Sequence, residues 1–221
     1  MEDTEEKKEE PKIDPEKQKR MERQSITLLV ILVLFLAFFV TAYFMLKPKP
    51  YFEYNNLKIF PISLEGSSLI FYSIPVSIDI GKGPVEQNIV LRNDPRQIEN
   101  LSYNVSMNLF KIAAIGFTME PTLSANAVIA AEEIANLGKT LQLPIAFGVI
   151  RDFEGKTENI FDCENATNLS RVIRMDLGNE TKVYGKDNCI IISGENYDGM
   201  IKAADKLTIE WLKLITKNEA S

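Results

Sequence analysis

KIAAIGFTMEPTLSANAVIAAEEIANLGKTLQLPIAFGVI, residues 111–150, decides the fold. KIAAIGFT is a near-continuous apolar run bounded by Pro121, the pattern of a strand buried on both faces. Ser124 or Thr122 can cap a following helix. On a helical wheel Ala127, Val128, Ala130, Ala131, Ile134, Ala135, Leu137 and Leu141 share one side. Asn126, Glu132, Glu133, Asn136, Lys139 and Thr140 share the other, with Ile129 the exception. PIAFGVI then reads as a second buried-type strand. Strand, helix and strand of this kind form a crossover unit, expected to be right-handed.

The pattern continues towards the C-terminus. A polar loop follows Arg151, and Asp162 can cap a short helix reaching Asn168. VIRMDL is a strand, Lys182 to Tyr184 begin another, and CIIIS is a third apolar strand after a turn at residues 185–188. A helix is expected from Tyr197 to Ile215 with Asn196 as its cap. Met200, Ala203, Ala204, Leu207, Trp211, Leu214 and Ile215 fill its apolar side; Asp198, Lys202, Asp205, Lys206, Glu210 and Lys213 fill the other. Towards the N-terminus, residues 57–92 alternate β-branched and aromatic runs with Gly, Ser and Pro breaks, so they read as strands. Pro61 and Pro75 belong at edges or bulges. The expected class is therefore α/β or α+β, a layered domain with a mixed sheet and packed helices.

Ahead of this domain, no charged residue falls between Arg23 and Lys47. From Ile26 to Leu46 the chain is apolar, about 31 Å of helix at about 1.5 Å per residue, which matches a hydrocarbon core of about 30 Å. The expected organisation is a disordered cytoplasmic tail (1–24), a transmembrane helix (25–46), a linker (47–56) and an extracytoplasmic α/β domain (57–221). Seven Lys and Arg precede the span, and Lys47 and Lys49 follow it, which puts the N-terminus in the cytoplasm. Val40-Thr41-Ala42 could pass as a cleavage site, but the apolar run exceeds a signal-peptide core and the segment before it is long and acidic, so the span reads as an uncleaved signal anchor. Tyr43, Phe44, Tyr51, Phe52 and Tyr54 are expected near the outer interface. Ala37 and Thr41 form a small-xxx-small pair, a weak helix-pairing signal.

Composition excludes more than it selects. Net charge is −6. The tail to Gln24 carries nine acids and seven bases, Lys47 and Lys49 add two, and the remainder has 22 acids and 16 bases. An acidic outer domain lacks the basic footprint of a nucleic-acid binder. The 221 residues include no histidine, which removes Ser-His and Cys-His pairs and His-ligated metals. No metal, cofactor or catalytic residue is assigned, and no P-loop, G-x-G-x-x-G or G-x-S-x-G occurs.

The two cysteines, Cys163 and Cys189, both follow the span and close a loop of 26 residues. In an oxidising compartment a disulfide is the default; two buried thiols are the alternative. Five N-x-[ST] sequons, at Asn100, Asn104, Asn165, Asn168 and Asn179, all lie on the side expected to be external, which makes them glycosylation candidates. Ligands in α/β sheets bind beyond the carboxyl ends of strands, which points to Glu120, Arg151, Asp152 and Glu195. Charged residues at strand exits are also ordinary solvated loop positions. Arg92 and Arg96 flank Asn93-Asp94-Pro95, where an Asx-turn on Asp94 is the simpler reading and a paired-arginine docking site the other.

IVLRNDPR (residues 89–96), NCIIISG and AADKL near the C-terminus, and the Cys163/Cys189 pair resemble a group of uncharacterised archaeal single-pass membrane-anchored proteins with an extracytoplasmic α/β domain. The resemblance implies topology and an archaeal origin and carries no activity. Two functions follow as expectations. One is a membrane-anchored, non-enzymatic interaction or structural protein of the cell envelope, held in the bilayer from Ile26 to Leu46 and touching a membrane or envelope protein. The other is a ligand-binding or enzymatic domain using carboxylates and Arg151 at the strand exits.

Overall fold

The computed structural model describes residues 15–46, 50–64, 66–79, 83–106, 112–155 and 158–219. It divides into two compact units, Met1–Lys49 and Pro50–Ser221.

The first unit is one helix, α1 (Pro15–Leu46), long and apolar enough to cross a membrane. It starts nine residues before the uncharged stretch, in the segment expected to be disordered. Proline suits a first helical position, and the Lys, Arg, Glu and Gln that follow are good helix formers. Its large apolar side chains are exposed within the unit. Residues 1–14 of the expected tail, and 47–49 of the linker, lie outside the described residues.

The second unit contains two sheets with two helices between them. An antiparallel sheet, in the order β1-β2-β3-β4, is made by β1 (Phe52–Tyr54), β2 (Leu57–Ser63), β3 (Ile70–Asp79) and β4 (Pro84–Leu91). β2 changes partner halfway: Leu57–Ile59 pair with β1, and Phe60–Ser63 pair with β3. Pro75 therefore sits where β3 has β4 on one side and no β2 on the other, which suits a residue without an N–H. Phe52 and Tyr54, expected at a membrane interface, instead point into the core from β1.

A mixed sheet follows, in the order β5-β9-β10-β8-β6-β7. Its strands are β5 (Ser102–Asn104), β6 (Ala114–Met119), β7 (Ile145–Val149), β8 (Ser170–Leu177), β9 (Lys182–Lys186) and β10 (Cys189–Gly194). β10, β8, β6 and β7 run parallel. β9 runs antiparallel to β10. The crossover from β6 to β7 is α2 (Ala125–Thr140), capped by Ser124, whose hydroxyl accepts from the Asn126 N–H. α3 (Tyr197–Glu219) follows β10, with the Gly199 N–H donating to Oδ1 of Asn196 at 2.8 Å.

One face of the mixed sheet packs on α2 and α3 through Ile115, Phe117, Ile173, Met175, Ile190 and Ile192. The other sides of the helices meet the antiparallel sheet through Ile59, Ile74, Ile89 and Leu91. Two covered sides explain where helical periodicity misleads. Asp205 and Lys206, expected to be solvated, are buried and Glu133 is largely covered, and Ile209 and Leu212 are buried outside the expected stripe. Val128 and Leu214, expected inside, are exposed. β7 also departs from expectation: it is the edge of its sheet, and Phe147 is 43% exposed. An apolar run does not reveal whether a strand has one neighbour or two.

Candidate functional site

From β7 the chain must return past β6 to reach β8, and the described residues 158–169 lie on that return, over the face of the sheet opposite the helices. In most doubly wound sheets a helix fills this place. Here it is a loop containing one 3-10 turn (Cys163–Asn165), shorter than the helix expected from sequence and capped by Asp162 as expected. Four contacts fix the loop. Cys163 is bonded to Cys189 at the start of β10, with Cα atoms 5.2 Å apart. Oδ2 of Asp162 lies 2.9 Å from Nη1 of Arg174 on β8. The Thr118 hydroxyl donates to the Phe161 carbonyl at 2.6 Å. The Phe161 ring fills a notch over Gly116 and Gly148, where an added Cβ would stand 2.7 Å and 2.5 Å from ring carbons. The ring also forms one wall of an open pocket of about 270 Å³, lined by Ala114, Gly116, Ala146, Asn165 and Val172 among others.

The strand exits bring some of the expected site residues together. Glu120, just after β6, and Arg151, after β7, form an ion pair at 2.9 Å between Nε and Oε2, with the Arg151 side chain 57% exposed. Asp152 is next in the loop and also engaged. Glu195 follows β10, two strand spacings from β6, roughly 10 Å across the sheet. Its N–H donates to Oγ1 of Thr181 at 3.4 Å. The arginine of the group is thus neutralised by its own neighbour, and Glu195 lies apart from the pair.

Arg92 and Arg96 are both committed inside the domain. The Arg96 N–H donates to Oδ1 of Asp94 at 3.0 Å, completing the Asx-turn. The Arg96 guanidinium also bonds both oxygens of Asp94 and lies 4.1 Å from the centre of the Phe52 ring. Its hydrogen bonds hold the Asp94 carboxyl below its ordinary range. Arg92 instead reaches α2, with Nε 2.6 Å from Oε1 of Glu133.

That contact leads to the cluster sequence reasoning missed. Oδ2 of Asp205 accepts from the backbone N–H and from Nδ2 of Asn93, both at 2.8 Å. The remaining oxygens, Oε2 of Glu133 and Oδ1 of Asp205, are buried without another protein donor. The two carboxyl groups lie close enough for each to affect the other's titration. Burial, then the Asp205 charge, push Glu133 up to about 9; burial pushes Asp205 up to about 6. Such a pair can serve as an acid and a base where substrate reaches it. This one ties α2, α3 and the end of β4 together, and its Glu133 end borders an open pocket of about 160 Å³ shared with Arg92, Glu132 and Asn136. The available signal was slight: a glutamate and an aspartate in the similar runs AAEEI and AADKL.

The sequons Asn100, Asn104, Asn165, Asn168 and Asn179 are all exposed, although Oδ1 of Asn165 already accepts from the Asp162 N–H at 2.9 Å. Comparison with protein-family models, with curated proteins and with solved structures finds no match to this chain.

Proposed function

We propose that this is a membrane-anchored surface protein whose α/β domain acts by contact rather than by catalysis, as an interaction or structural element of the cell envelope. The observation that carries the reading is the pairing of one exposed apolar helix with a domain whose candidate site arginines, Arg92, Arg96 and Arg151, are each taken up by a carboxylate of the same domain. Glu120 neutralises Arg151, Glu133 holds Arg92, and Asp94 holds Arg96. The excess of Lys and Arg before the span supports a cytoplasmic N-terminus and an external domain. The disulfide supports an oxidising compartment. Exposure of all five sequons supports glycosylation there. The archaeal origin implied by resemblance belongs to the same proposal.

A protease added outside intact cells is expected to degrade the domain from Pro50 onward and spare the N-terminal tail. A protected domain would overturn the orientation, and with it the external role.

A further inference from the structure

We propose that the β2–β3 hairpin tip is a second membrane contact, a small apolar foot that rests in the lipid interface. The proposal depends on the anchor reading above, and its test separates the two. Four large apolar side chains stand exposed at this tip: Ile62 (42%), Leu64 (51%), Leu69 (58%) and Ile70 (47%). They gather at the tip but not on one face: Ile62 lies opposite Phe71 on one side of the hairpin, Ile70 opposite Ser63 on the other, and Leu64 and Leu69 follow where the two strands end. Clustered exposure of this kind marks a contact surface, whereas scattered single residues do not.

The register within the domain identifies the occupant. β2 runs antiparallel to β1, with Ile59 opposite Phe52. From there β2 continues past the start of β1, towards the end where the chain enters at Pro50. Tyr51 confirms the direction, since its ring packs on Phe60 with centroids 5.4 Å apart. Leu64 is five residues beyond Ile59, about 16 Å of strand, while Pro50 is two residues before Phe52, about 7 Å. The tip therefore projects about 10 Å beyond the entry point. In sequence, only Lys47, Pro48 and Lys49 separate Pro50 from α1, a reach of roughly 14 Å at most from Leu46. So short a tether limits how far the entry point can lie from the end of the anchor, and the hairpin tip is at the same end of the domain as that entry point.

The chemistry of the tip selects lipid interior over lipid charge. Residues 60–71 (FPISLEGSSLIF) contain no Lys or Arg and one acid, Glu65. Attachment is by apolar burial, so neither anionic lipid nor low salt is needed.

The experiment uses the full chain in phosphatidylcholine vesicles. Because Cys163 and Cys189 are bonded to each other, a cysteine placed by Leu64→Cys can carry a polarity-sensitive fluorophore uniquely. Phe35→Cys reports on the anchor. Glu86→Cys, opposite Ser77 on β3 and so about 23 Å along the strands from Ile70, reports on the far end of the hairpin. With lipids carrying acyl-chain quenchers, the labels at positions 64 and 35 are expected to lose most of their fluorescence. The label at position 86 is expected to keep it, and added salt to change nothing. Quenching at 35 without quenching at 64 would refute the foot and leave the anchor standing. A blue-shifted but unquenched label at 64 would refute it in favour of a protein cover, a second copy included. Absence of quenching at both positions would remove the anchor and the foot together.

Discussion

Glu133 on α2 and Asp205 on α3 stand beside each other, each with one carboxyl oxygen buried and without a hydrogen-bond partner, and burial raises both groups above the ordinary carboxylate range. Two ionised carboxylates there would repel in a site that Arg92 and Asn93 can only partly compensate. The sign of the pH dependence follows. Unfolded, the two groups titrate near their ordinary values of 4.5 and 3.8; folded, they titrate near 9 and 6. Between these limits the folded state holds protons that the unfolded state has released. Stability therefore falls as pH rises through that window, by up to about 1.4 kcal/mol per pH unit for each proton held. Urea midpoints of the domain from Pro50, which has a core of its own, are expected to be higher at about pH 5 than at about pH 8. Glu133→Gln keeps the shape, does not titrate, and is expected to flatten the slope. A slope unchanged by the substitution would show that the pair does not carry it.

The disulfide is expected to leave no free thiol. Protein unfolded in alkylating reagent without reductant should take up no label. Replacing both cysteines with serine is expected to cost roughly 3–4 kcal/mol, the chain-entropy value for a loop of this length. A domain that melts unchanged would mean that Asp162, Thr118 and Phe161 hold the loop unaided.

Gly148→Ala tests those other contacts. The new methyl would meet the Phe161 ring at 2.5 Å and the Asn159 carbonyl oxygen at 2.7 Å, so the loop backbone has to move. Destabilisation of about 1–3 kcal/mol is expected, with faster proteolysis within residues 150–169. Unaltered cleavage would show that the notch is roomier than described.

Trp211 is fully buried on α3. Trp211→Ala leaves a large cavity in the middle layer and is expected to cost roughly 3–5 kcal/mol. Thermal melting reads this directly, and an unchanged midpoint would remove Trp211 from the core.

Periodicity and turn chemistry were enough to read β2 to β4, β6 to β10, the two domain helices and the caps at Asp162 and Asn196, with Ser124 one of two candidates for α2; β1 was read as linker and β5 was not assigned. What they could not reveal was how many layers those elements make. Ala130 and Ile134 announce a helix side that meets a sheet. Nothing local announces that Glu133, on the opposite side, meets another. The same limit hid Asp205 and Lys206, since a charged residue in a helix reads as solvated whether or not a second sheet covers it. At the strand exits the residue types were legible, but the partnership of Glu120 with Arg151 depends on strand order, which a sequence without repeats or motifs does not encode locally.

The middle layer also imposes an order of assembly. β1 to β4 are synthesised before α2 and α3, yet they bury their apolar side chains only against those helices. Until α3 emerges, Ile59, Ile74, Ile89 and Leu91 have no finished surface to cover them. The antiparallel sheet must wait, half-wetted and prone to stray pairing, while more than a hundred further residues are made. A chain broken off anywhere before Trp211 would therefore be a target for quality control rather than a smaller working domain.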